Sequence, residues 1–206
     1  MSEQASPGRE VNAQAAFADH YRQYVDFLNR VLTAIDADSV ERVVNLFLEA
    51  RAKGRTIFFA GNGGSAATAS HFAQDLSEVG RKAGVAGFRS LGLADNVSYI
   101  TAAGNDHGYE SIFTNQMTNL FQEGDLLVVI SASGNSANVI KALRMAKSRG
   151  GTTVALVGFD GGVLAREADA VIIARTARGE YGPVEDVHMI MDHVITDCLY
   201  QRLARA

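Results

Sequence analysis

The sequence predicts an α/β fold, a layered parallel sheet of about five strands with helices on both faces. Three observations carry this expectation. Short apolar runs recur after Gly54, namely "TIFFA", "GFRSLGL", "LLVVI", "TTVALV" and "AVIIA", each strand-sized and continuous enough to be covered on both sides. Each run is followed by a glycine-rich or polar loop and then usually by a helical segment, the alternation expected of parallel strands. Helical periodicity brackets the sheet, with two helices before it and one long helix after it.

In chain order, Phe17, Tyr21, Tyr24, Val25, Leu28, Val31, Leu32 and Ile35 recur at steps of three and four and predict an amphipathic helix over about 12–35. Asp38 and Glu41 have capping-box spacing for a second helix through Val40, Val43, Val44 and Phe47, which Lys53-Gly54 stops. The last helix is expected from Val184 to about Leu203. Residues 1–11 are polar, carry Pro7 and Gly8, and read as a mobile tail before a single domain over 12–206.

Composition narrows the function. A chain of 206 residues, 47% hydrophobic and 20% charged, buries one substantial core. Nineteen basic and twenty-three acidic side chains are spread along it without a basic block, which argues against nucleic acid as a direct ligand. The lone Cys198 has no partner within the chain and points to a reducing compartment. No apolar run approaches the roughly 20 residues a membrane span needs. The expectation is a cytoplasmic protein without membrane partners.

Two strand exits are unusual. "TIFFA" runs into "GNGGS", Gly61 to Ser65, and "LLVVI" into "SASGNS", Ser131 to Ser136; each leads into a helix, and neither carries a lysine or arginine. Helix N-termini present unpaired N–H groups, glycine admits close approach, and serine adds rotatable donors, a combination suited to phosphate. Neither loop has the Lys-Ser/Thr pair of a Walker motif or three-glycine dinucleotide spacing, so a small phosphomonoester is the expected ligand. Turn and capping preferences alone would also favour Gly, Ser and Asn in either loop. Two such loops on one sheet favour the anion site.

On the helix after "GNGGS", His71 and Asp75 are four apart and share a face opposite Ala69, Phe72, Ala73 and Leu76. An exposed helix pair is the plain alternative; their closeness to the loop favours a site. On the last helix, Val184, Val187, Met191, Val194, Ile195 and Cys198 form one stripe with His188 inside it, so His188 reads as a packed, hydrogen-bonded core histidine. His193 projects nearly opposite, towards solvent, another subunit or an intersubunit pocket, with Glu185 about 80° round the helix. His107, after "AAGND", is expected in an exposed loop, and Asp125 and Asp160 as turn or capping residues.

The segments "GNGGSAATASHFAQDL", "AAGNDHGYESIF", "GDLLVVISASGNSANVIKAL", "GFDGG" and "EDVHMIMDHVI" together resemble the sugar isomerase (SIS) domain, and within it the sedoheptulose 7-phosphate isomerase (phosphoheptose isomerase) family, from about Phe17 to Leu203. The resemblance implies a flavodoxin-like three-layer sandwich and a homotetramer with active sites between subunits. It further implies interconversion of sedoheptulose 7-phosphate and a heptose 7-phosphate, towards heptose for lipopolysaccharide and other surface polysaccharide. By position, Ser131, Ala132, Ser133 and Ser136 would hold the phosphate, and Asn62, Gly63, Gly64, Ser65, Asn105 and Asp106 would line the sugar. Asp75 would be the base and His193 the acid, with Glu185 a further substrate-binding and catalytic candidate. His71, Asp75, Glu185 and His193 match the positions that bind zinc in some members. Asp75 stands where Glu is common, Glu185 where Gln is common and Ala132 where Thr is usual. A non-catalytic SIS-domain adaptor that associates with a replication initiator, or an isomerase for a different sugar phosphate, is the alternative implied.

Overall fold

The structure is a computed structural model describing residues 16–205. The expected tail and the first residues of the expected first helix lie outside the described residues. The chain runs α1 (Phe17–Thr33), α2 (Ala37–Ala52), β1 (Thr56–Gly61), α3 (Gly64–Ala83), β2 (Arg89–Gly92), α4 (Val97–His107), a single 3-10 turn (Tyr109–Ser111) and α5 (Ile112–Leu120). It continues through β3 (Leu126–Ser131), α6 (Ala137–Ser148), β4 (Thr152–Gly158), α7 (Gly162–Glu167), β5 (Ala170–Ala174) and α8 (Tyr181–Leu203). All five expected strands form, every pairing is parallel, and the order is β2-β1-β3-β4-β5.

Strand side chains alternate between two cores, as the two-residue period requires. Ile57, Phe59, Leu126, Val128, Ile130, Val154 and Leu156 face one side and pack with α1, α2, α3 and α8. Phe58, Ala60, Leu127, Val129, Ala155 and Val157 face the other and pack with α4, α5, α6 and α7. The result is the expected three-layer sandwich. Its consequence for function is that α3 and α8, which carry the ionisable candidates, lie side by side on one face and make extensive contact.

Three local expectations are corrected. The second helix is capped by Asp36, whose carboxylate accepts from the N–H groups of Asp38 and Ser39 at 3.3 and 3.2 Å. Asp38 is already in the first turn, where its charge complements the helix dipole. "AAGNDH" is helical, the end of α4, because Asn96 caps that helix by accepting from the Tyr99 N–H at 3.0 Å and Ala103 is buried against the sheet. Val194 is exposed, since Asp192 and Thr196 take the buried arc of α8 instead. Asp125, by contrast, is a turn residue with a further role. Its buried carboxylate accepts from the N–H groups of Gln122 and Thr56, both at 2.8 Å, tying the β3 turn to the start of β1.

Candidate active site

From β1 the chain crosses first to β2 on one side and then to β3 on the other, so the β1/β3 pair is the topological switch point where open parallel sheets bind ligands. Gly61 pairs with Ile130, which brings the two unusual loops out of the sheet next to each other. They are tied together: the side-chain amides of Asn62 and Asn138 donate to each other's carbonyl oxygens at 2.9 and 2.8 Å, and the Tyr109 hydroxyl donates to Asn62 Oδ1 at 3.0 Å.

Within the serine loop, Ser131 Oγ accepts from the Gly134 N–H at 3.2 Å and Ser133 Oγ from the Asn135 N–H at 3.3 Å. Both hydroxyls act as acceptors there, which leaves their protons for an anion. Ser136 is the N-cap of α6 yet makes no capping bond with its side chain. Gly134 makes the loop possible: its φ is +63°, and a Cβ there would lie 2.0 Å from the Gly161 carbonyl oxygen. Ala132 turns its methyl into the core, so it can offer a ligand only backbone.

Ser133, Asn135 and Ser136 open onto a cavity of about 510 Å³ whose far wall is Phe159, Asp160, Thr176, Arg178 and Tyr181. Of this wall the sequence marks only "GFDGG" at the β4 exit, with Asp160 as a turn residue; Thr176, Arg178 and Tyr181 come from the β5 exit and the start of α8, which carry no motif. Thr176 Oγ1 is buried without a hydrogen-bond partner among the described residues, and Arg178 supplies a positive charge that the serine loop itself lacks. Phe159 holds a left-handed backbone, φ +52°, rare for a residue with a side chain. Its ring meets Tyr181 edge-on at 5.1 Å.

The ionisable candidates meet within one chain. His71 Nε2 and His193 Nε2 are 3.1 Å apart, Asp75 Oδ2 is 3.4 Å from His71 Nε2 and 3.9 Å from His193 Nε2, and Asp192 Oδ2 is 4.0 Å from His71 Nε2. The i, i+4 pair on α3 is therefore part of a cluster completed by α8, and both imidazoles remain about half exposed. Asp75 and His193 also border a cleft of about 210 Å³ with Lys82 and Tyr200.

Asp192 is the functional candidate the sequence reading missed. The available signal was an acidic residue four positions after His188, within the arc of α8 that points inward. It is 0% exposed, and neither carboxylate oxygen has a hydrogen-bond partner among the described residues. Burial, and then the nearby charge of Asp75, push its pKa up to about 8. His188 is packed as expected, and its polar contact with the Val157 backbone falls short of full hydrogen-bond geometry. Burial lowers its pKa to about 4, against a weaker pull from the Val157 backbone, so it is neutral at physiological pH.

Ligand atoms of His71, Asp75, Asp192 and His193 all lie within 4.8 Å of one another. Tetrahedral zinc with nitrogen and oxygen ligands at about 2.0–2.1 Å sets those atoms about 3.4 Å apart, so this donor set fits the ion. Glu185 sits elsewhere. Its half-buried carboxylate lies against Gly64, the first residue of α3, where a Cβ would come within 2.3 Å of Oε2. That places it beside the sugar-lining candidates Gly63, Gly64 and Ser65. Asn105 and Asp106 end α4 on the surface, the Asn105 amide donating to Asp106 Oδ1 at 2.7 Å. Asp106 borders a separate cleft with Asn96 and Tyr99, so within one chain these two are not brought to the serine loop.

A switch-point sheet with a hydroxyl-lined loop on one strand exit and an imidazole–carboxylate cluster on the neighbouring helix has the parts a phosphosugar-handling domain needs, and residues 20–158 match the SIS domain family. The phosphoheptose isomerase of Sulfurimonas denitrificans is 38% identical over 81% of this chain and 84% of its own. That of Aneurinibacillus thermoaerophilus is 36% identical over 91% and 96%. Among solved structures, the phosphoheptose isomerase of Neisseria gonorrhoeae superposes with a TM-score of 0.77 at 31% identity over 88% of this chain and 95% of its own. The Francisella tularensis one gives 0.80 at 24% identity over 89% and 96%, a likeness of fold. The chain belongs to the phosphoheptose isomerase family of SIS-domain proteins.

Proposed function

We propose that the protein is an aldose–ketose isomerase converting sedoheptulose 7-phosphate to D-glycero-D-manno-heptose 7-phosphate, an early step towards heptose for lipopolysaccharide and related surface polysaccharide. The observation that carries this reading is the pairing of the hydroxyl cradle at the β3 exit with the cluster of His71, Asp75 and His193 on one sheet. The phosphate is received by the free hydroxyl protons of Ser131, Ser133 and Ser136 and the N-terminus of α6, with Arg178 adding charge from the opposite wall. Anchoring that end spends binding energy on orientation, so that C1 and C2 meet the acid–base groups without a further search. Asn62, Gly63, Gly64, Ser65 and Glu185 line the sugar, and Asn105 and Asp106, remote from the serine loop within one chain, reach it from a second copy in the tetramer.

Asp75 removes the proton from C1 of the open ketose and returns it to C2 through an enediol, while His193 delivers a proton to the C2 oxygen and takes one back from the C1 oxygen. Asp75 is one methylene shorter than the commoner Glu, a retreat of roughly 1.5 Å. Zinc held by imidazole and carboxylate groups of this cluster would polarise the substrate oxygens.

The active form is a homotetramer in the cytoplasm, without membrane or nucleic-acid partners. Exposed Phe17, Tyr21 and Val25 stack at i, i+4 and i+8 on α1, an apolar stripe suited to a second copy. Among the described residues, no helix is long and apolar enough to cross a membrane.

The test follows sedoheptulose 7-phosphate by NMR, with zinc added or chelated. Turnover should fall by about 10²–10⁴ in Asp75→Asn and His193→Ala. Absence of turnover by the wild type with this or related ketose phosphates under both conditions would overturn the assignment.

A further inference from the structure

We propose that the cation of this site is held by His71, Asp75, Asp192 and His193, with Asp192 in the ligand set and Glu185 outside it, left free to face the substrate. The proposal deepens the isomerase reading and concerns the same site: with the cation bound, Asp75 and His193 serve as its ligands and the base role passes to Glu185, the carboxylate left free.

Three observations carry it. The four side chains offer ligand atoms that all lie within 4.8 Å of one another, and Glu185 is not among them. The individual separations, 3.1 Å between the imidazoles, 3.4 and 3.9 Å from Asp75, and 4.0 Å from Asp192 to His71, bracket the edge of a zinc tetrahedron. The second observation is the state of Asp192. Its carboxylate is fully buried, and among the described residues both oxygens lack a hydrogen-bond partner and no Lys or Arg forms an ion pair with it. A carboxylate buried in that condition is costly, and a divalent cation between it and the two imidazoles removes the cost.

The third observation is the seat of Glu185. Its carboxylate lies over Gly64 at the N-terminus of α3, where the helix dipole favours a negative charge. His71 and Asp75 are two and three turns further along α3, a rise of about 10 Å or more. On α8, Asp192 is adjacent to His193 and Glu185 is two turns before it. The packing of α3 against α8 therefore presents Asp192 to the cluster and Glu185 to the loop. Asp192 closes the buried side of the site, and the half-exposed imidazoles leave the other side open to substrate oxygens.

The experiment measures metal, not turnover, so its outcome is separate from that of the isomerase reading. Protein stripped with a chelator is titrated with zinc in competition with a chromophoric chelator, and with cobalt while its visible absorption is recorded, for the wild type, Asp192→Asn and Glu185→Gln. Asp192→Asn should weaken zinc at least about 100-fold and change the cobalt spectrum, and Glu185→Gln should leave both as in the wild type. Crystals of the zinc-loaded wild type, phased on the zinc anomalous signal, test the ligand set without relying on a variant that folds. They should show Asp192 and no Glu185 oxygen at coordination distance. Failure of the wild type to bind zinc or cobalt, equal weakening in both variants, or Glu185 seen on the metal would overturn the proposal.

Discussion

Replacing Gly64 by alanine tests whether the Glu185 carboxylate is held where the reaction needs it. A Cβ at this position would lie 2.3 Å from Oε2, 2.4 Å from Cδ and 2.6 Å from Oε1. Non-bonded carbon contacts settle at about 3.5 Å, so the carboxylate has to withdraw by about 1 Å. The clash is with the end of a flexible side chain, and Gly64 is the first residue of α3, where alanine is the better helix former by about 0.5–1 kcal/mol. Fold stability should therefore hold or rise, with a melting temperature up by no more than about 4 °C. A misplacement of about 1 Å at a reacting group costs on the order of 10²-fold in rate. The assay is kcat/KM for sedoheptulose 7-phosphate alongside thermal unfolding of the same preparations. Gly64→Ala and Glu185→Gln should each lower kcat/KM, and the double variant should lose little more than Glu185→Gln alone, because both act through one carboxylate. Wild-type kcat/KM in Gly64→Ala, or additive losses in the double variant, would refute the role given to Glu185.

Arg178→Ala should raise KM about tenfold with little change in kcat, since Arg178 stands on the cavity wall facing Ser133 and Ser136, and steady-state kinetics read the split directly. In chelator-treated protein, the two shifted groups bend the stability curve in opposite senses. His188, with its pKa lowered from 6.5 to about 4, contributes stability that is complete above pH 6.5 and lost by about 3 kcal/mol as pH falls to 4, because only the unfolded chain takes up that proton. Asp192, raised from 3.8 to about 8, contributes stability that is present below pH 3.8 and lost as pH rises to 8. The two oppose each other between pH 4 and 6.5, so urea unfolding is compared with variants: Asp192→Asn should gain on the wild type as pH rises, and His188→Leu as pH falls. Phe17→Ser with Tyr21→Ser, which removes two of the three exposed apolar residues of the α1 stripe, should shift sedimentation equilibrium from the proposed tetramer to smaller species without lowering helix content.

Much of this molecule is legible in one dimension because its order is local. The runs around Phe58, Val128 and Val154 are buried on both faces, so they read as uninterrupted apolar segments, and the loops after β1 and β3 announce themselves by composition. The pairing of His71 with Asp75 follows from the helical repeat alone. The end of α4 was misread because "AAGNDH" has loop-like composition while its helical state depends on the Asn96 cap and on burial of Ala103.

What the sequence by itself determined is the set of elements, the switch-point loops and His71, Asp75 and His193 as candidates for one site. Only the tertiary structure decided which carboxylate of α8 joins them. Periodicity gives the angle of each side chain about its own helix axis, but the rotation and offset of α8 against α3 come from side-chain packing between two helices far apart in the chain. That packing turns Asp192 inward to His71, lays Glu185 on Gly64, and draws Thr176 and Arg178 from an unmarked loop to face the serines.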